Sequence, residues 1–158
     1  MRRALSDSIK TGGGAARSVP RMSNDASATD RSRHISRVIA CPPERVYDFA
    51  ADPANLPRWA AGLAGRAVVP DGDSFLADSP MGRVRVRFTA RNALGVLDHD
   101  VTLPSGATVY NPVRVIAHPA GSEIVFTIRR LAMTAEEFDR DSAMVAADLD
   151  RLAAILES

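Results

Sequence analysis

Two polar side chains that could act together in catalysis, His99 and Asn111, lie in neighbouring stretches whose residue pattern predicts β-strands. An imidazole titrates near neutrality and is the most common general base in enzymes. A carboxamide can donate a hydrogen bond to an oxygen that gains negative charge. Together they could remove a proton from a substrate and stabilise the resulting enolate. They could equally hold a polar atom of a bound ligand without any reaction.

The loop Pro104-Ser105-Gly106 separates the two stretches and predicts how they pair. Three-residue hairpin loops commonly place glycine in the left-handed conformation. With this loop His99 faces Asn111 directly, and the other facing pairs are apolar. A two-residue loop would place Leu97 opposite Arg114, and a shift by one residue turns a whole strand over. We therefore expect His99 and Asn111 to be direct neighbours on the inward face of a sheet.

The aspartates on either side of His99 could suggest a metal site or a proton relay. Successive side chains of a strand point to opposite faces, so Asp98 and Asp100 should lie on the outer face. We expect exposed ion pairs there, of about 0–1 kcal/mol each, with Asp100 opposite Arg87. No other residues have the spacing of metal ligands, and we predict neither a metal nor a cofactor. Cys41 precedes two prolines and is expected to be a buried apolar residue, not a nucleophile.

Arginine recurs at alternate positions in a third predicted strand, as Arg83, Arg85 and Arg87, and again at Arg91. Such a stripe could bind phosphate or RNA, but aspartates are expected opposite it and no aromatic residues accompany it. A net charge of +1 also argues against nucleic acid or a membrane surface as a partner. The stripe is therefore predicted to be a solvated sheet face.

The composition also bears on where the protein works. No apolar run approaches the roughly 20 residues needed to cross a bilayer, and Arg2-Arg3 is not followed by the apolar stretch of an export signal. The single cysteine excludes an internal disulfide and fits a reducing compartment, so a cytoplasmic location is predicted. The oligomeric state stays open between a monomer and a homodimer.

The elements that must position these residues follow from periodicity and from proline and glycine signals. A strand over residues 33–41 ends at Pro42-Pro43, and two short helices then lead to Trp59. Six further strands are predicted at 65–69, 73–78, 82–91, 95–103, 107–117 and 122–131.

The last stretch, residues 134–157, predicts a long amphipathic helix. Thr134 and Glu137 have the spacing of a capping box. Asp148 is expected to lie off the apolar face, which is formed by Phe138, Val145, Leu149, Leu152 and Leu156. Because that face must be covered, we expect the sheet to curve around the helix and to leave a cavity.

Residues 1–31 are rich in Gly, Ser, Ala and charge and show no apolar period. Such a segment cannot bury enough surface to offset the entropy of ordering, so a disordered tail is predicted. Met22 is an alternative start of translation. The folded domain is predicted to span residues 32–158.

The run IACPPERVYDFA from Ile39 to Ala50, followed by NLPRW from Asn55 to Trp59, resembles the opening of the START-like (SRPBCC, polyketide cyclase/dehydrase and lipid-transport) superfamily. The resemblance covers residues 33–157. It implies the α+β helix-grip fold, a seven-stranded antiparallel sheet curved around a long C-terminal helix with two short helices after the first strand. Members range from ligand carriers to cyclases to co-chaperone domains, so the resemblance does not indicate one activity.

On such a fold the inward-facing residues should line the cavity. Trp59 could either pack in the core beneath the short helices or contact the ligand as a gate, and Tyr110 should point outward. The predicted ligand-binding residues are Trp59, Val86, Phe88, His99, Val101, Val109, Asn111, Val113, Phe126, Ile128, Val145 and Leu149.

Three functions remain open at this point. The first is a carrier or sensor that binds a small, largely apolar molecule, lipid- or polyketide-like, with hydrogen bonds from His99 and Asn111. The second, implied by the resemblance, is a polyketide cyclase or aromatase in which His99 is the general base and Asn111 donates to the enolate. The third is a protein-interaction module similar to the co-chaperone members.

Overall fold

The computed structural model describes residues 31–61, 63–64 and 66–158. The order of elements predicted from the sequence, one strand, short helices, further strands and a long helix, is confirmed. Except for Arg31, the tail predicted over residues 1–31 lies outside the described residues. The elements are β1 (Ser32–Ile39), α1 (Pro43–Ala50), a 3-10 helix (Pro53–Asn55), α2 (Leu56–Trp59), β2 (Val69–Asp71), β3 (Ser74–Ser79), β4 (Gly82–Phe88), β5 (His99–Thr102), β6 (Thr108–Asn111), β7 (Val113–His118), β8 (Gly121–Arg129) and α3 (Ala135–Leu156).

The strands form two antiparallel sheets, with strand orders β1-β8-β7 and β2-β3-β4-β5-β6. The α+β helix-grip class is confirmed, but the expectation of seven strands in one sheet is corrected. The predicted strand 107–117 is divided at Pro112, which has no N–H to donate to a ladder. Its first half, β6, pairs with β5, and its second half, β7, pairs with β8.

The β5–β6 hairpin has the predicted register, with His99 opposite Asn111 and Val101 opposite Val109. Gly106 in the connecting loop has φ +85°, a conformation that favours glycine. Its N–H donates to the carbonyl of Leu103 at 2.9 Å. The loop sequence therefore sets which residues of the two strands face each other.

The two sheets meet where residues 95–97 run beside the start of β7, a region that we call the sheet junction. The N–H of Leu97 donates to the carbonyl of Val113 at 2.9 Å, and the N–H of Val115 donates to that of Gly95 at 2.8 Å. Gly95 has φ +70°, and a Cβ there would lie 2.0 Å from the carbonyl oxygen of Val115. Glycine is thus required where the two sheets approach each other.

Helix α3 begins with the predicted capping box. The Thr134 hydroxyl accepts a hydrogen bond from the N–H of Glu137 at 3.2 Å, and the Glu137 carboxylate accepts one from the N–H of Thr134 at 2.7 Å. The helix packs against β1 and α2. Its apolar face joins the core between the sheets and the helices, where the most completely buried large side chains include Ile39, Val46, Leu56, Val84, Val86, Ile124, Leu149 and Leu152.

Arg83, Arg85 and Arg87 lie exposed on the outer face of the five-stranded sheet, as predicted. Arg91, expected in the same stripe, lies beyond the end of β4 and pairs with Asp48 of α1. Arg85 pairs with Asp71 at 2.7 Å, and Arg87 lies 3.6 Å from Asp100, the partner expected from the register. Exposed pairs of this kind contribute about 0–1 kcal/mol each. This face therefore adds solubility more than stability.

Candidate ligand-binding site

A cavity of about 510 Å³ lies between the inner face of the sheets and α3. Strands β4 to β8 supply most of one side, whereas α2, α3 and residues 131–133 supply the other. All of the residues predicted to bind a ligand line this cavity except Val86. Val86 is fully buried in the core, where its strand partners are Phe75 and Val101, and it is not part of the wall. That the others contact a ligand stays a prediction.

His99 is a buried polar residue of this wall, with 7% of its surface exposed. Its Nδ1 lies 3.1 Å from the carbonyl oxygen of Leu97. A carbonyl oxygen only accepts hydrogen bonds, so Nδ1 must carry the proton. The ring is held edge-on between Phe88 and Phe126, with centroid distances of 5.1 and 5.8 Å.

Burial lowers the pKa of His99 below its ordinary value of 6.5. The hydrogen bond to Leu97 and the negative charge of Asp100 oppose this shift but are smaller effects. The ring is therefore neutral at pH 7, and with the proton on Nδ1 the other nitrogen, Nε2, is an acceptor. Among the described residues Nε2 has no hydrogen-bond partner.

Asn111 lies directly opposite His99 and is half-buried on the same wall. Within the described part of the chain its carboxamide makes no hydrogen bond, to His99 or to any other residue. The two side chains thus do not satisfy each other. Their free hydrogen-bonding groups remain adjacent in a wall that is otherwise largely apolar.

Asp98 departs from the expectation of an exposed outer ion pair. It points away from His99 as predicted, yet only 3% of its surface is exposed. Its carboxylate accepts hydrogen bonds from the N–H of Val113 at 2.8 Å and from the hydroxyl of Tyr110, and it pairs with Arg114. Tyr110 is outward-facing and 48% exposed, as expected. Asp98 is buried because these partners cover the outer face at the sheet junction.

Sequence reasoning missed a row of cavity-lining residues on α3: Glu137, Asp141, Met144 and Asp148. Asp148, expected to lie off the apolar face, is 7% exposed and pairs with Arg151. Burial raises the pKa of Asp141 above its ordinary value. The spacing of these four residues in the sequence could have revealed the row, because positions i, i+4, i+7 and i+11 lie in one line along a helix, here beside the apolar face.

The opening of the cavity is marked by large apolar side chains that line it and remain exposed, namely Met81, Leu131 and Met144. Trp59 belongs to the core, as one of the two expectations had it, and also lines the cavity. That it contacts a ligand stays a prediction. The Trp59 carbonyl accepts a hydrogen bond from Arg151 at 3.2 Å. Its indole N–H has no partner among the described residues.

In residues 31–61, 63–64 and 66–158 no three side chains of His, Cys, Asp or Glu are grouped so that they could hold a metal ion. No helix in the same residues has the length and apolar character needed to span a membrane.

The curved sheets, the long C-terminal helix and the cavity between them define a fold of the SRPBCC type. Residues 32–157 match the sequence model of the family described as polyketide cyclase / dehydrase and lipid transport. The chain belongs to this family. A comparison with curated proteins found no match.

Solved structures share the fold at low sequence identity. Protein CV1439 of Chromobacterium violaceum is 17% identical, with a TM-score of 0.60 over 80% of this chain and 98% of that one. A protein of Bacillus thuringiensis is 13% identical, with a TM-score of 0.63 over 81% and 100%. DynU16, a protein in the dynemicin biosynthetic locus, is 16% identical, with a TM-score of 0.65 over 82% of this chain and 48% of its own.

Proposed function

We propose that this protein binds a small, largely apolar molecule, lipid- or polyketide-like, and acts as its carrier or sensor. The observation that carries the proposal is the cavity of about 510 Å³, largely apolar and open at one rim. Small-molecule sites commonly have volumes of about 300–1,000 Å³, apolar walls and a few polar groups that orient the ligand. His99 and Asn111 supply such groups here.

The family description supports this class of ligand, since it names both polyketide cyclases and lipid transport. The position of DynU16 in a biosynthetic locus is consistent with it, although a likeness at 16% identity extends to the fold alone. The cavity disfavours the protein-interaction alternative, because a module that binds through its surface needs no internal space.

A second candidate function, a cyclase or aromatase, is favoured by one observation: the unpartnered Nε2 of a neutral His99. In that reaction Nε2 would take a proton α to a substrate carbonyl, and the Asn111 amide N–H would donate to the enolate oxygen. The enolate would attack a second carbonyl, and the imidazolium would return the proton to the alkoxide formed. His99→Gln separates the two functions, since turnover would be lost in a cyclase whereas apolar binding would survive in a carrier.

The binding proposal can be tested by filling the cavity. Val109 is a half-buried wall residue, and Val109→Trp should place an indole in the space where a ligand would lie. We expect the wild-type protein to bind the neutral dye N-phenyl-1-naphthylamine with one site. Val109→Trp should weaken binding by about tenfold or more, because the dye and the indole compete for the same apolar volume.

The matched control is Ile116→Trp, which adds the same side chain at an exposed position of β7 that does not line the cavity. It should leave the dye affinity unchanged. Equal dye binding by both variants would show that the dye does not use the cavity and would contradict the proposal. Dye fluorescence and calorimetry, with circular dichroism to confirm folding, supply the measurements.

A further inference from the structure

We propose that the ligand presents a hydroxyl group to the His99–Asn111 pair, its O–H donating to Nε2 of His99 and its oxygen accepting from the amide of Asn111. This inference rests on the proposed binding function and specifies the chemical class of the ligand. It follows from the hydrogen bonds that the two side chains already make and from those that they leave unmade.

The first step is the tautomer of His99. Its Nδ1 proton is donated to the carbonyl of Leu97, so Nε2 offers only a lone pair. Nε2 therefore requires a donor. A ketone or ether oxygen at this point would set one lone pair against another and leave a buried nitrogen unpaired, which is unfavourable.

The second step is the position of Asn111. It is the direct cross-strand partner of His99, and side chains of such pairs have Cβ atoms about 4.5–5.5 Å apart. One ligand atom can therefore contact both groups. A hydroxyl oxygen donates through its hydrogen and accepts through its lone pairs, so it satisfies the imidazole and the amide at once.

The third step concerns charge. The edges of Phe88 and Phe126 surround the imidazole, and the aspartate that precedes it in the chain points to the opposite face of the sheet. An ammonium group placed there would lose its hydration, and the group that it would meet at His99 is a neutral nitrogen, which offsets that loss less than a carboxylate does. A ligand carboxylate would place an acceptor against the acceptor nitrogen of His99. It would also enter a cavity that is lined by another acidic group, Asp141. The favoured class is thus a neutral alcohol, phenol or enol on an apolar frame.

The test compares three probes of similar shape: 2-naphthol, 2-methoxynaphthalene and naphthalene. The wild-type protein should bind 2-naphthol about tenfold more tightly than 2-methoxynaphthalene, the value of one satisfied hydrogen bond at a buried acceptor. In His99→Phe this ratio should fall to near one, and the affinity of the same variant for naphthalene, which makes no hydrogen bond, is the reference for any change in cavity shape. His34→Phe, at an exposed histidine outside the cavity, should keep the wild-type ratio.

The outcomes separate this inference from the proposed function. Binding of all three probes with no preference for 2-naphthol would overturn the inference and leave the binding function standing. Failure of all three to bind would overturn the binding function. If His99→Phe does not fold, the ¹⁵N shift of Nε2 in the wild-type protein decides: 2-naphthol should change it and 2-methoxynaphthalene should not, and equal responses would refute the hydroxyl contact.

Discussion

His99 and Asp98 are adjacent in the chain, and their side chains serve different purposes on opposite faces of the sheet. His99 lines the cavity with one nitrogen unpartnered, whereas the carboxylate of Asp98 is surrounded by donors. Alternation along a strand predicted that they would point apart. It could not predict that both would be buried, because burial depends on which distant residues cover each face. The tautomer of His99 was equally unpredictable, since it depends on the position of the Leu97 carbonyl.

The lowered pKa of His99 predicts how stability depends on pH. The unfolded chain takes up a proton near pH 6.5, whereas the folded protein does so only at lower pH. Between these two values the unfolded state binds more protons, so the free energy of unfolding falls as the pH falls. The contribution is fully present above pH 6.5 and is lost progressively below it.

We expect the stability difference between the wild-type protein and His99→Phe to shrink or reverse as the pH is lowered through this window. Urea unfolding at several pH values between 8 and 5 measures the difference. Other titrating groups are common to both proteins and cancel. Parallel stability curves would contradict a lowered pKa at His99.

At the scale of elements, the sequence was most informative where local rules act alone. The geometry of the capping box at Thr134 and of the hairpin loop ending at Gly106 depends only on a few residues that are adjacent in the sequence. Both predictions are confirmed. The division at Pro112 was missed because the apolar pattern continues across it, although the missing N–H of proline was visible in the sequence. The acidic row on α3 was missed because periodicity identifies the apolar face of a helix but not which neighbouring residues also reach the cavity.

Asp98 joins three elements, since its partners lie on β6 and β7 while the residue itself precedes β5. Replacing it by asparagine removes the charge that Arg114, the Tyr110 hydroxyl and the Val113 N–H share. We expect Asp98→Asn to lower the free energy of unfolding by about 2 kcal/mol, because the buried donors lose a charged acceptor while the half-exposed Arg114 can still be solvated.

Asp100→Asn is the matched control, two residues further along the chain and within β5. Asp100 is half-buried and pairs with the exposed Arg87 at 3.6 Å, so its replacement should cost no more than about 1 kcal/mol. Urea unfolding of both variants gives the comparison. Similar costs at the two positions would show that Asp98 does not hold the elements together.

At the scale of the whole molecule, the apolar face of α3 required a cover and the sheets provide it. A cavity and most of its wall could be predicted from this, since strand register determines which residues face inward. The volume of the cavity and the position of its opening could not be predicted from the sequence. Those depend on how far the two sheets splay apart and on the path of residues 131–133, which no local pattern encodes.

The sheet junction has a consequence for motion. Few backbone hydrogen bonds connect the two sheets among the described residues, and Pro112 interrupts the ladder beside them. The sheets can therefore part locally at lower free energy than global unfolding requires, and amide protons at Leu97 and Val115 should exchange with deuterium through that opening. A guest such as 2-naphthol that touches both sheets should slow exchange there while leaving the centre of β4 unaffected. Equal slowing of exchange at the junction and in β4 would contradict local opening at the sheet junction. Slowing confined to Leu97 and Val115 would allow these two amides to report whether the cavity is occupied.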